Sequence, residues 1–134
     1  MKEGIIAGAV LISLSIILGA FAAHGLEKHL DSGLMTERMM KNFETGARYQ
    51  MYAGIGMILM ALLQGAFPAL NITPWTYRLL LAGAILFSGS LYLLSTRDVI
   101  GLQSWKWLGP ITPLGGLCMI AGWLVLIVQI IKAK

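Results

Sequence analysis

Few side chains in this sequence are equipped for chemistry, and they gather at the edges of apolar runs. His24 closes the first run, and Glu44, Arg48, Tyr49 and Gln50 fall together where the second begins. A histidine at a membrane boundary can relay protons, hold a headgroup or ligate a metal. Its plainer role is a hydrogen bond to a loop carbonyl. A carboxylate, a guanidinium, a phenol and an amide in one short stretch can cradle a lipid phosphate or a quinone head. Their plainer role is an interfacial ion pair beside a boundary tyrosine. Ser88, Ser90 and Tyr92, on the third run, supply hydroxyls for helix-to-helix hydrogen bonds. These eight residues form the candidate binding set. His29 shares no helical face with His24, so a paired-histidine metal site is not expected. The eight methionines suit soft metals, but adaptable packing explains them equally well. With no phosphate-binding loop, nucleophile elbow or paired carboxylates, no catalytic residue and no cofactor is assigned.

The elements around these residues are set by composition. Of 134 residues, 57% are hydrophobic and 12% charged, against about a quarter charged in a soluble domain. Too few polar groups remain to coat a water-soluble globule, so an all-α integral membrane protein is expected. The net charge of +4, from ten Lys/Arg and six Asp/Glu, is ordinary for basic loop ends and too dispersed for nucleic acid. The single cysteine, Cys118, forms no intrachain disulfide.

Uncharged stretches run over residues 4–23, 49–67, 79–94 and 111–131, and the third reaches crossing length, as 75–94, if Arg78 sits at the headgroups and the helix starts near Pro74. About 20 helical residues cross a hydrocarbon layer of about 30 Å. The runs are continuous rather than alternating, which favours helices over barrel strands. Lys2 before an apolar run ending in Ala20-Phe21-Ala22 resembles a signal peptide, but the run exceeds the usual core of about 7–15 residues, so a retained crossing is expected. One domain with four crossings follows.

The stretch from His24 to Arg48 differs, with four basic and four acidic residues. Met35, Met39, Met40, Phe43 and Ala47 recur at helical spacing, predicting an amphipathic interfacial helix that bends near Gly46 into the second crossing. Thr36 is its expected cap. Glu37–Lys41 and Glu44–Arg48 are favourable i,i+4 pairs. Six basic residues in the loops after crossings one and three, against four on the other side, favour those loops inside and both termini outside. Trp75, Trp105 and Trp107 lie where boundary aromatics belong. Small residues four apart mark expected helix contacts: Gly4–Gly8, Ser15–Gly19–Ala23, Ala84–Ser88 and Cys118–Gly122.

Four segments carry a family resemblance: Leu18-Gly19-Ala20-Phe21-Ala22-Ala23-His24-Gly25-Leu26, Arg48-Tyr49-Gln50-Met51-Tyr52, Phe87-Ser88-Gly89-Ser90-Leu91-Tyr92, and Ile111-Thr112-Pro113-Leu114-Gly115-Gly116 with Gly122-Trp123. The chain resembles the YgdD/YwdK-type small bacterial membrane proteins, a domain of unknown function with a eukaryotic transmembrane relative. The resemblance implies a four-span inner-membrane protein and no particular reaction. That family usually has a histidine after Tyr-Gln-Met-Tyr, where this chain has Ala53.

The expected function is a non-enzymatic membrane protein acting in membrane integrity or as partner of a membrane complex. The alternatives are a lipid- or quinone-binding module and an oligomeric small channel or transporter. The last is demoted because no acidic residue lies inside a crossing. Expected partners are membrane lipids, a second copy of the chain or another membrane protein, and no nucleic acid.

Overall fold

A computed structural model describes residues 2–133, and these are helical with no strand. Helix α1 spans Lys2–Phe21, a π-helical turn follows at Ala22–Leu26, and a short α2 covers Glu27–Asp31. Helix α3 runs Glu37–Ala66, α4 Pro74–Thr96 and α5 Ile111–Lys132. Single 3-10 turns at Pro68–Leu70 and Lys106–Leu108 lie in the last two connections. Three segments are long and apolar enough to cross a membrane: Lys2–Asp31, Pro74–Thr96 and Lys106–Lys132. The α3 stretch expected to cross is not among them. Gln50, Gln64 and three glycines dilute its hydropathy.

The ends of these helices follow local rules. The Thr36 hydroxyl accepts from the Met39 amide at 3.2 Å and starts α3. Pro74 opens α4, where its missing N–H costs nothing. Asn71 ends the preceding 3-10 turn at φ 44°, a left-handed conformation that asparagine tolerates.

Pairings run antiparallel between neighbours in sequence. Ser15 meets Ala47, Leu11 meets Gln50 and Gly8 meets Gly54 across α1–α3. Gly46 meets Ser88 across α3–α4. Across α4–α5, Leu80 meets Gly122, Gly83 meets Met119, Phe87 meets Gly115 and Ser90 meets Thr112. The extensive interfaces are these three, so α3 and α4 form the middle of the bundle and α1 and α5 flank it. Two apolar clusters result. The larger holds Leu11, Ala53, Met57, Met60, Leu80, Ala84 and Met119. The smaller gathers Ala22, Leu26, Met35 and Phe43 at one end.

That smaller cluster corrects the expected interfacial helix. α3 is one unbroken α-helix through Gly46, with no separate amphipathic helix before it. Its Met35–Phe43–Ala47 face is buried against the end of α1 rather than left to lie in headgroups. The physical reason is the π turn. It carries the chain on past α1 with Ala22 and Leu26, four residues apart and so on one face, packed with Met35 and Phe43, which gives those apolar groups a protein partner. Gly46 is where α4 closes in: a Cβ there would stand 3.0 Å from the Tyr92 ring and 3.3 Å from the Ser88 carbonyl oxygen. The expected i,i+4 ion pairs do not form either. Among the described residues the one ion pair within 4.0 Å is Arg97–Asp98, at 3.8 Å.

Glycines set the helix separations. A Cβ at Gly8 would lie 2.6 Å from the Gly54 carbonyl oxygen, and one at Gly54 2.8 Å from that of Gly8. A Cβ on Gly115 would collide with the Phe87 backbone, and one on Gly83 would reach 2.7 Å from the Met119 amide nitrogen. Of the spacings singled out in the sequence, Gly8 and Gly122 pack on neighbouring helices, whereas Gly19 has nothing within 4 Å. Gly8→Ala and Gly83→Ala must therefore push whole helices apart, with an expected loss of about 1–3 kcal/mol each. Gly19→Ala is expected to be neutral or to gain up to about 1 kcal/mol of helix propensity. Thermal unfolding in detergent, followed by circular dichroism, compares the three.

Candidate functional site

The eight candidate residues do not converge on one site. Gln50 is buried and central, its amide nitrogen donating to the Leu11 carbonyl at 2.9 Å and its amide oxygen accepting from the Tyr92 hydroxyl at 2.8 Å. One amide thus ties α1, α3 and α4 together. Beside it, the Ser15 hydroxyl donates to the Ala47 carbonyl at 2.8 Å, and the Ser88 hydroxyl to the Gly46 carbonyl at 2.7 Å. The Ser90 and Thr112 hydroxyls lie 2.6 Å apart across α4–α5, and Ser90 also donates to the Phe87 carbonyl. These groups form an internal polar belt whose members bond to backbone carbonyls of neighbouring helices and, at Gln50–Tyr92 and Ser90–Thr112, to one another.

The charged candidates stand elsewhere. Glu44 and Arg48 are exposed on the outer face of α3, and His24 is exposed on the π turn. Being on the opposite side of α3 from Gln50, Arg48 is kept out of the belt by helical geometry. Tyr49 is also largely outward, its ring edge-on to Tyr52 at 5.7 Å and tilted against Phe87 at 5.2 Å between centroids. With Tyr52, Ala53, Phe87, Met119 and Trp123 it borders an apolar cavity of about 400 Å³. Ala53 itself is buried, on the stretch where the family usually has a histidine. The methionines on and just before α3 serve packing, with Met35, Met57 and Met60 almost fully enclosed.

A second cavity, of about 390 Å³, opens at the other end, where α1 and α4 begin and α3 ends. Its lining combines Glu3, Gln64, Tyr77 and Arg78 with Ala7, Met57 and Leu81. Reasoning from local motifs misses this group, because its members lie on three separate helices. The available signal is topological. If successive helices run antiparallel, the start of the first, the end of the second and the start of the third share one end of the bundle.

Alongside, the Gln64 amide oxygen accepts from the Ile72 amide at 2.6 Å, and Gln129 joins the Thr73 and Thr76 hydroxyls at 2.6 and 3.2 Å. These contacts pin the α3–α4 connection to the end of α5.

An all-helical bundle with apolar outer faces and an internally satisfied polar belt defines a small membrane protein. The comparisons fix which kind. The family described as Protein of unknown function (DUF423) matches residues 18–116. The UPF0382 membrane protein SH2409 of Staphylococcus haemolyticus is 41% identical over 132 residues, covering 98% of each chain. The UPF0382 membrane protein YwdK of Bacillus subtilis is 37% identical over the same length and coverage. The chain therefore belongs to the DUF423 family of membrane proteins. No solved structure matches.

The belt predicts a specific coupling. Tyr92→Phe leaves the Gln50 amide oxygen without its donor and is expected to cost about 1 kcal/mol. Gln50→Leu frees the Leu11 carbonyl and the Tyr92 hydroxyl together and should cost more. The double variant should fall short of the sum, because both substitutions break one shared bond. Thermal or denaturant unfolding in detergent of the four proteins reads this; strict additivity would remove the Gln50–Tyr92 bond from the account.

Proposed function

We propose that this chain crosses the bacterial cytoplasmic (inner) membrane four times. It acts without catalysis, in membrane integrity or as the partner of a membrane complex. The observation that carries the fourth crossing is the division of α3 into two faces. Gln50 bonds inward, and Tyr52, Ile55, Leu59 and Leu62 face outward. A bonded amide costs far less in hydrocarbon than a bare one, so marginal mean hydropathy does not bar the segment from the bilayer. The first turns of α3 carry exposed Glu37, Arg38, Lys41, Glu44 and Arg48, which suits the headgroup layer.

The flanking helices support the same reading. Ile6, Val10, Leu14 and Ile17 on α1, with Leu117, Ile120, Leu124 and Ile127 on α5, make continuous outward apolar faces. Such faces serve lipid, a second copy or another membrane protein. Trp75 and Trp107 are exposed near helix ends, as boundary aromatics are. The charge distribution favours the loops after α1 and α4 on the cytoplasmic side. The lipid- or quinone-binding alternative is supported by the apolar cavity beside Tyr49.

Single cysteines introduced into a Cys118→Ala background test the crossings. Ser32→Cys and Ser104→Cys are expected to react with an impermeant maleimide from one side of the membrane, and Asn71→Cys from the other. Labelling of Ser32→Cys and Asn71→Cys from the same side would overturn the four-crossing reading, because α3 lies between them. Deletion of the gene is expected to raise cell leakage of a bilayer-impermeant dye, with unchanged leakage counting against an integrity role.

A further inference from the structure

The cavity between the first turns of α1 and α4 and the end of α3 has the makings of a binding site. It is graded along the bundle axis. Glu3, Gln64, Tyr77 and Arg78 stand toward the helix ends, and Ala7, Leu81 and Met57 follow one or two turns deeper. A polar mouth above an apolar floor fits an amphiphile rather than a free ion.

The mouth holds uncommitted groups. The Tyr77 hydroxyl is buried with no hydrogen-bond partner among the described residues. Such an orphan is costly unless a ligand supplies the partner. The Gln64 amide oxygen is taken by the Ile72 amide, which leaves its NH2 hydrogens for the cavity. Arg78 holds its guanidinium 5.4 Å from the Trp75 ring centroid, which fixes the cation at the rim. Glu3 borders the same space, yet the two are not within ion-pair distance, since Arg97–Asp98 is the one pair among the described residues. Two opposite charges thus face one cavity without neutralising each other.

We propose that this cavity binds the headgroup of an aminophospholipid, with its phosphate on Arg78, the Tyr77 hydroxyl and the Gln64 amide, and its primary ammonium on Glu3. A purely anionic head would meet repulsion from Glu3. A quaternary ammonium has no N–H to give Glu3 and is best held by free aromatic faces, whereas Trp75 is engaged by Arg78. The acyl chains continue over Ala7, Leu81 and Met57 toward the bilayer interior. The proposal rests on the membrane-embedded bundle proposed above.

Native mass spectrometry of the full chain in mild detergent tests it, with phosphatidylethanolamine, phosphatidylglycerol and phosphatidylcholine of matched acyl chains. Wild type is expected to retain phosphatidylethanolamine over the other two. Arg78→Gln should weaken retention by about tenfold or more, the scale of a lost charged hydrogen bond. Glu3→Gln should abolish the preference over phosphatidylglycerol while keeping affinity for phosphate. Tyr77→Phe should leave the lipid-free protein as stable as wild type or more so, and shrink the rise in Tm that phosphatidylethanolamine produces. Water-soluble phosphoethanolamine and inorganic phosphate are expected to compete poorly. Equal retention of all three lipids by wild type would overturn the proposal, as would unchanged retention in both charge variants. Full displacement by soluble phosphoethanolamine at equal concentration would overturn the lipid as ligand. Unchanged cysteine-labelling sidedness in the same proteins separates failure of this site from failure of the four-crossing reading.

Discussion

Helices in hydrocarbon gain nothing from burying apolar surface against one another, because lipid tails are as apolar as leucine. What remains is close contact and hydrogen bonding, and both require backbones to approach. The structure meets that requirement at Gly8–Gly54 and at Gly83 and Gly115, where a single added carbon would strike a neighbouring main chain or side chain. The rest of the architecture follows from those approaches. Because the helices are close, short side chains such as Ser15 and Ser88 reach carbonyls on the next helix. Because those bonds form, polar atoms can sit inside the bundle without water.

The polar belt and the glycine contacts therefore depend on each other. Gln50 is too polar for the apolar outward face of α3, and its inward position is tenable because Leu11 and Tyr92 stand ready on two different helices. The same arrangement explains why α3, the least apolar of the four long helices, lies in the middle of the bundle beside α4. The more apolar α1 and α5 take the flanks, where outward faces are widest.

The two ends of the bundle have different characters. At one end, the π turn after α1 folds Ala22 and Leu26 onto Phe43, and His24 is turned outward. At the other, α1, α3 and α4 leave a cavity bordered by opposite charges and an unpartnered hydroxyl. The spread of ionisable groups follows the same logic. Charges are held at helix ends, in loops and on the outer face of the first turns of α3, and the inside of the bundle is left to amides and hydroxyls that bond to carbonyls and to each other.

Sequence alone determined that this is a helical membrane protein, because low charge and long continuous apolar runs admit no water-soluble alternative. It determined the helix limits nearly to the residue at Thr36 and Pro74, because capping and proline chemistry act over a few neighbouring positions. It also marked Ser88 and Tyr92 as polar groups needing partners. The tertiary structure decided which partners they took. Gln50 and Arg48 are adjacent in kind and almost in number, yet one belongs to the belt and the other to the surface, since two residues of helix turn a side chain to nearly the opposite face. It likewise decided that the Met35–Phe43 face covers α1 and that Glu3, Gln64, Tyr77 and Arg78 share a cavity. Those outcomes depend on antiparallel register between segments far apart in the chain, which no local pattern encodes.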